Sequence, residues 1–170
     1  DDQLDTQFNG GEAVVKGIET TLGQVVALGL GIDIDIDATY AWTDGRFSTD
    51  FVSQFPQFGT VSKGDLLPYV PIHQGSAGLA LIHTAATLSA KATGRSGMRN
   101  VAGSEDDPTS QAIESAITLD MGAEYRIGQH LALYGTGTNL TGQRSIESWR
   151  PLGARPNAPT RWMVGIKGSL

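Results

Sequence analysis

The chain has 170 residues, no cysteine, and a formal net charge of -6. Those facts rule out a disulfide framework and a thiolate metal site, and they argue against nucleic-acid binding, which calls for a basic face. Charged residues make up only 18% and glycines number 22, and no run of about 18 apolar residues offers a transmembrane helix.

Alternating segments then follow one another along the chain. A weak alternating stretch, Glu12 to Leu22, opens the series. After it comes a short apolar run, Val25 to Ile32, broken by Gly29 and Gly31. Ile32 to Thr43 is the clearest element. Ile32, Ile34, Ile36, Ala38, Tyr40 and Trp42 occupy one face of a strand, and Asp33, Asp35, Asp37, Thr39, Ala41 and Thr43 the other. This is period 2, sustained well past the roughly 5–6 residues of an ordinary strand. A tilted strand crossing a bilayer needs about 9–11 residues.

Asp44 to Tyr69 reads as a long connection and Val70 to Ile82 as a weaker strand, followed by a short turn at His83–Ala86. Thr87 to Arg95 sets Leu88, Ala90 and Ala92 against Ser89, Lys91, Thr93 and Arg95. A second long connection, Ser96 to Glu114, leads to Ser115–Tyr125, where Ile117, Leu119, Met121, Ala123 and Tyr125 oppose Thr118, Asp120 and Glu124. Ile127–His130 is a short turn, Leu131–Asn139 a weaker strand, and Leu140–Thr160 the third long connection. Arg161 to Leu170 closes the chain, with Trp162, Val164, Ile166 and Leu170 facing away from Arg161, Met163, Lys167 and Ser169.

Seven strands with alternating long and short connections are the expectation of an all-β, antiparallel, up-and-down transmembrane barrel segment. Barrels of that kind in an outer membrane have short inner turns, long external loops and aromatic girdles. Tyr40, Trp42 and Trp162 fall at one end of their strands and Tyr125 at the other, as interfacial belts require. One connection fits poorly: the Gly23–Gly31 link is of intermediate length where a short one is expected. A soluble β-sandwich explains period 2 equally well, but not long strands joined by alternating long and short loops. A passive outer-membrane porin is the other alternative.

Several stretches carry a family resemblance. Gly64-Asp65-Leu66-Leu67-Pro68-Tyr69-Val70-Pro71-Ile72-His73-Gln74 resembles the G-D-x-L-P-Y-x-P-x-H-Q stretch of TonB-dependent outer-membrane receptors, which leads from an external loop into a barrel strand. Val15–Glu19 is similar to that family's V-x-G-x-E strand, and Tyr40–Asp44 to its Y-x-[YW]-T-D. Asn139-Leu140 resembles the N-L closing the penultimate strand, and Gly153-Ala154-Arg155-Pro156 with Pro159, Arg161 and Gly165-Ile166-Lys167 resembles the closing segment. The pieces occur in family order over nearly the whole chain, and some look closest to the ferric citrate type. The aromatic residues that usually end such barrels are replaced by Gly168 and Leu170, so the expected membrane-insertion signal is weak.

The resemblance implies that residues 1–170 are the C-terminal part of a plugged barrel of about 22 strands, with the plug domain and upstream strands outside this chain. It implies TonB-dependent import of a ferric chelate (citrate or a siderophore) across the bacterial outer membrane. The partners implied are the chelate, outer-membrane lipid, and the TonB complex through the plug region. Seven strands leave two open edges, and unpaired backbone groups in lipid cost several kcal/mol each. The chain is therefore not expected to work as a membrane protein alone.

Candidate residues are few. Glu19, Asp33, Asp35, Asp37, Lys91, Asp120, Glu124 and Lys167 are expected to face a polar lumen, with the aspartates pairing with Lys or Arg of neighbouring strands or of the plug. The Asp33-x-Asp35-x-Asp37 run lacks the Gly and Glu positions of a calcium loop. His73, His83 and His130 lack metal spacing, so no metal site is expected. No nucleophile elbow or phosphate loop is present, so neither enzyme activity nor a cofactor is expected. Arginine matches carboxylates bidentately, which makes Arg95, Arg99, Arg150 and Arg155, on the long connections or next to them, candidate contacts for an anionic chelate. Asn139 reads as a residue that satisfies backbone groups at a strand end.

Overall fold

A computed structural model of the chain describes residues 11–104, 112–150 and 152–168. The elements in chain order are β1 (Ala13–Gly29), β2 (Ile32–Phe47), β3 (Phe51–Val52), β4 (Thr60–Val61), β5 (His73–His83), β6 (Ala86–Arg95), β7 (Ala116–Ile127), β8 (Leu131–Thr138), β9 (Ile146–Ser148), β10 (Arg155–Pro156) and β11 (Arg161–Gly168). Seven of them form one antiparallel sheet in the order β1-β2-β5-β6-β7-β8-β11, so each strand pairs with its successor in the series. The two short pairs, β3–β4 and β9–β10, lie in the long connections. No sequence signal marks them, because two or three residues are too few to show a period. Ser169 and Leu170, the end of the expected last strand, lie outside the described residues.

β1 differs from its expectation. It runs 17 residues, to Gly29 rather than Leu22, and the supposed intermediate link is a hairpin turn at Leu30-Gly31. Both turn residues have positive φ, 56° and 75°, as a two-residue type I′ turn demands. The second half of the strand departs from alternation, which hides it in the sequence: Gln24 stands opposite Ile36 on the apolar side, and Val25 opposite Asp35 on the polar side. With this hairpin the alternation of short turns and long connections has no exception.

The register fixes two faces. Residues directly opposite each other in an antiparallel ladder point the same way. One face carries Ile18–Trp42 and Leu22–Ala38, Ile36–Leu79, Leu81–Leu88, Ala92–Leu119 and Leu133–Ile166. Its side chains are open to the surroundings: Ile18 is 63% exposed, Trp162 73% and Val164 84%. The opposite face is polar and concave. Residues of β1, β2, β5, β6, β7 and β9 line one open hollow of about 660 Å³ on it. The expected aromatic placement also holds. Tyr40, Trp42 and Trp162 sit toward the long-loop end of this apolar face, and Tyr125, opposite Ala86, sits at the short-turn end.

The buried residues concentrate at the long-loop end. Val61, Asn100 and Ile113 are the fully buried larger side chains. Phe47, Phe51 and Phe58 form an aromatic cluster with ring centroids 5.2–6.2 Å apart, within the range of favourable edge-to-face packing.

Candidate functional site

The register brings all eight charged residues expected at a lumen onto the concave face. Asp37, Gly78, Lys91 and Asp120 form one row across four strands. A Cβ on Gly78 would sit 2.0 Å from Asp37 Oδ1. The missing side chain is what lets Lys91 reach across a whole strand to Asp37, at 3.3 Å. Asp120, the other neighbour of Lys91, instead accepts the Asn139 backbone N–H at 2.7 Å.

Nearer the short turns, Lys167 meets Glu124 at 2.5 Å and Arg126 approaches the same carboxylate at 3.8 Å. Tyr134 stands opposite Glu124 on one side and Gly165 on the other, one row from Arg126, Ala132 and Lys167. Its ring lies where a Cβ on Gly165 would be, and the Lys167 ammonium is 5.2 Å from the ring centroid, within cation–π range. Glu19, Asp33 and Asp35 have no ion-pair partner among the described residues. Among the described residues Asp37 alone of the three aspartates has a basic partner, and that partner stands on the second strand over rather than on an adjacent one.

The long connections form a packed cap. The Gly64–Gln74 stretch is its spine. Leu66 bridges Arg46 on one side and Gly103 on the other. Asp65 is buried and its carboxylate accepts the Ser62 N–H at 2.8 Å. Tyr69 donates its hydroxyl to Asn100, which is wholly buried. The motif thus ties the connection between β2 and β5 to the one between β6 and β7. Its last part begins β5, where His73 Nδ1 meets the Tyr40 hydroxyl at 2.8 Å.

Asn139 is the second tie. It is 5% exposed and has a positive φ of 50°. Its amide donates to Gln143 O (2.9 Å) and Ala158 O (2.8 Å). Its side-chain oxygen accepts from Thr141 and from Gln143 N, and its backbone carbonyl accepts the Thr160 hydroxyl at 2.6 Å. It satisfies backbone groups at a strand end, as its position in the sequence suggests.

The four candidate arginines do different things. Arg95 donates to the carbonyl of Glu114 (2.9 Å), to Ile146 O (3.3 Å) and to the Glu147 carboxylate (3.4 Å), holding two long connections against a strand end. Arg99 donates to Val101 O and packs its guanidinium against Gly103. Arg150 is half-buried, and its Nε has no hydrogen-bond partner. Arg155 is exposed on β10. Among the described residues no group of three or more His, Asp or Glu could hold a metal ion.

A family model described as "TonB dependent receptor-like, beta-barrel" matches residues 1–140. The chain belongs to the TonB-dependent receptor β-barrel family. A solved structure of a siderophore receptor, PiuA from Acinetobacter baumannii, superposes on it with a TM-score of 0.70 at 17% identity. The match covers 94% of this chain but only 22% of that receptor. It shows a shared fold, with this TonB-dependent receptor segment spanning under a quarter of the other chain's length. No curated protein matches. The family consists of transport receptors rather than enzymes, and its barrels reside in outer membranes.

Proposed function

We propose that the chain forms part of the wall of an outer-membrane receptor that imports a ferric chelate at the expense of energy delivered through TonB. The observation that carries this reading is the inverted sheet. Its convex face is apolar and uncovered among the described residues, and its concave face holds the charges. A soluble sheet buries its apolar face against a second layer, whereas a membrane barrel turns it to lipid and keeps a polar interior. Family membership supports TonB as the energy source.

In this reading the concave face looks into the lumen, the long connections are external, and residues 1–170 supply wall, lumen charges and three external loops. Citrate or a siderophore would bind at the loops and the plug, and TonB would act on the plug rather than on this segment. Arg150 and Arg155 are the proposed contacts with the anionic chelate, because Arg95 is already engaged in holding loops and Arg99 gives its Nε–H to Val101 O and packs against Gly103.

The test is uptake of radioactive iron by cells whose only ferric-chelate receptor is the protein carrying this chain. Uptake of at least one ferric chelate, abolished when TonB is deleted, is expected. Uptake indifferent to TonB, or absent with both ferric citrate and hydroxamate siderophores, would sink the proposal. Replacing Arg150 and Arg155 together by Ala should weaken chelate binding by about tenfold, the scale of one charge-assisted contact, and unchanged affinity would remove both residues from the site.

A further inference from the structure

Lys91 stands between two carboxylates and pairs with the farther one. Asp120 is directly opposite it on β7, and side chains so placed have Cβ atoms about 4.5–5.5 Å apart. Asp37 is two strands away on β2, beyond Gly78 of β5, which is roughly 10 Å at the spacing of neighbouring strands. The lysine nevertheless meets Asp37, at 3.3 Å. Two observations account for the choice. The Asp37 carboxylate leans over Gly78, into the space a Cβ would fill, and so shortens the gap. The Asp120 carboxylate is engaged elsewhere, its Oδ1 accepting the Asn139 N–H at 2.7 Å. Asn139 in turn fastens the base of the β8–β11 connection, its two oxygens accepting the N–H groups of Gly142 at 3.0 Å and Gln143 at 3.1 Å.

We propose that Lys91 is a two-position link between the wall of the hollow and the base of the β8–β11 connection. Held by Asp37, it leaves Asp120 to fasten Asn139. Freed from Asp37, it turns to Asp120, draws that carboxylate off the Asn139 N–H and loosens the base of the connection. The side chain suits both positions. It is half exposed and lines the hollow, and a lysine carries three rotatable donors on a flexible four-carbon stem. Exposed ion pairs are weak, so a basic side chain reaching the half-exposed Asp37 from within the hollow displaces Lys91 and sets the link in its second position. Only that last step rests on the transport reading, which makes the hollow the lumen of the barrel. The exchange of Lys91 between Asp37 and Asp120 does not.

The experiment is hydrogen exchange across residues 139–143, read by mass spectrometry on the purified full-length receptor in detergent. Asp37→Ala should speed exchange there about threefold, the scale of a weak exposed pair. Gly78→Ala should do the same by a second route, because its Cβ evicts the Asp37 carboxylate. Adding Lys91→Met to either should restore the wild-type rate, since no cation is left to draw Asp120 away, and Lys91→Met alone should leave that rate unchanged. Asp120→Ala should speed exchange more than either, equally with and without Lys91.

Simple loss of an ion pair predicts another pattern: Lys91→Met would act like Asp37→Ala, and the double variant would recover nothing. That pattern, or exchange across 139–143 that neither Asp37→Ala nor Gly78→Ala alters, would overturn the link. Heat-modifiable migration on a gel verifies folding, and if one of these two variants fails to fold the other decides. Uptake is not read in this experiment. The transport reading can fail while the exchange pattern stands, and the pattern can fail while uptake stands.

Discussion

The sheet and the cap of long connections are built on opposite principles. In the sheet, strands up to 17 residues long are held by backbone ladders, while the larger side chains of the apolar face lie open. In the cap there is little regular structure, yet it contains the fully buried Val61, Asn100 and Ile113 and the hubs at Asn139 and Arg95. The sheet takes its order from hydrogen bonding that needs no side-chain core, as a structure in lipid must. The cap takes its order from side chains, as a structure in water must. In the proposed function these are two solutions for two solvents, lipid and water.

That contrast can be broken at four points. The largest effect is expected from Asn139→Ala. It strips four side-chain hydrogen bonds from a buried site, and at about 1 kcal/mol or more for each group left unsatisfied the cost should be about 4 kcal/mol. Hydrogen exchange in the full-length receptor should accelerate across residues 141–158 and stay slow in β5 and β6. Equal acceleration in both would mean that cap and sheet unfold as one unit.

Leu79→Arg comes next, in the middle of the apolar face opposite Ile36. In a bilayer it should cost roughly 2–4 kcal/mol, read from urea unfolding out of phospholipid vesicles. A change within about 0.5 kcal/mol is the behaviour of a surface residue in water and would contradict lipid contact.

Gly165→Ala should cost about 1–2 kcal/mol by displacing the Tyr134 ring. The near-ultraviolet circular dichroism of the receptor should change with it, and an unaltered spectrum would show that the ring does not need that space. The smallest effect belongs to Lys91→Met. Both partners of the Asp37–Lys91 pair are about half exposed, so its loss should change stability by under about 1 kcal/mol. A larger loss would show that the row of charges acts as a coupled network.

The legible part of the fold is the part with a period. Ile32 to Thr43 announces β2 because its isoleucines and aspartates alternate without a break. β1 was half legible, since Gln24 and Val25 reverse the pattern just where the strand approaches its turn. The faces of Asp120, Glu124 and Lys167 are legible in the same alternation, and the register sets them on one side of the sheet together with Glu19.

What period cannot show is contact at a distance. Arg95 looks like a free cation at a strand end until Glu147, 52 residues away, is brought against it. Asn100 and Tyr69 carry no local pattern that joins them. The motif Gly64–Gln74 marked a place in the chain correctly, but its work of tying two connections together is visible only in three dimensions.

The bonds around Asn139 have an evolutionary reading. Gln143, Ala158 and Thr160 all fasten to that one residue, so the connection between β8 and β11 is drawn closed at its neck before it spreads. Beyond the neck the loop is held to the strands below by Arg95, through Ile146 and Glu147. Lengthening a closed loop costs little, about 0.6 kcal/mol for each doubling. The part of the connection beyond Glu147 can therefore be lengthened at little cost while the wall keeps its register.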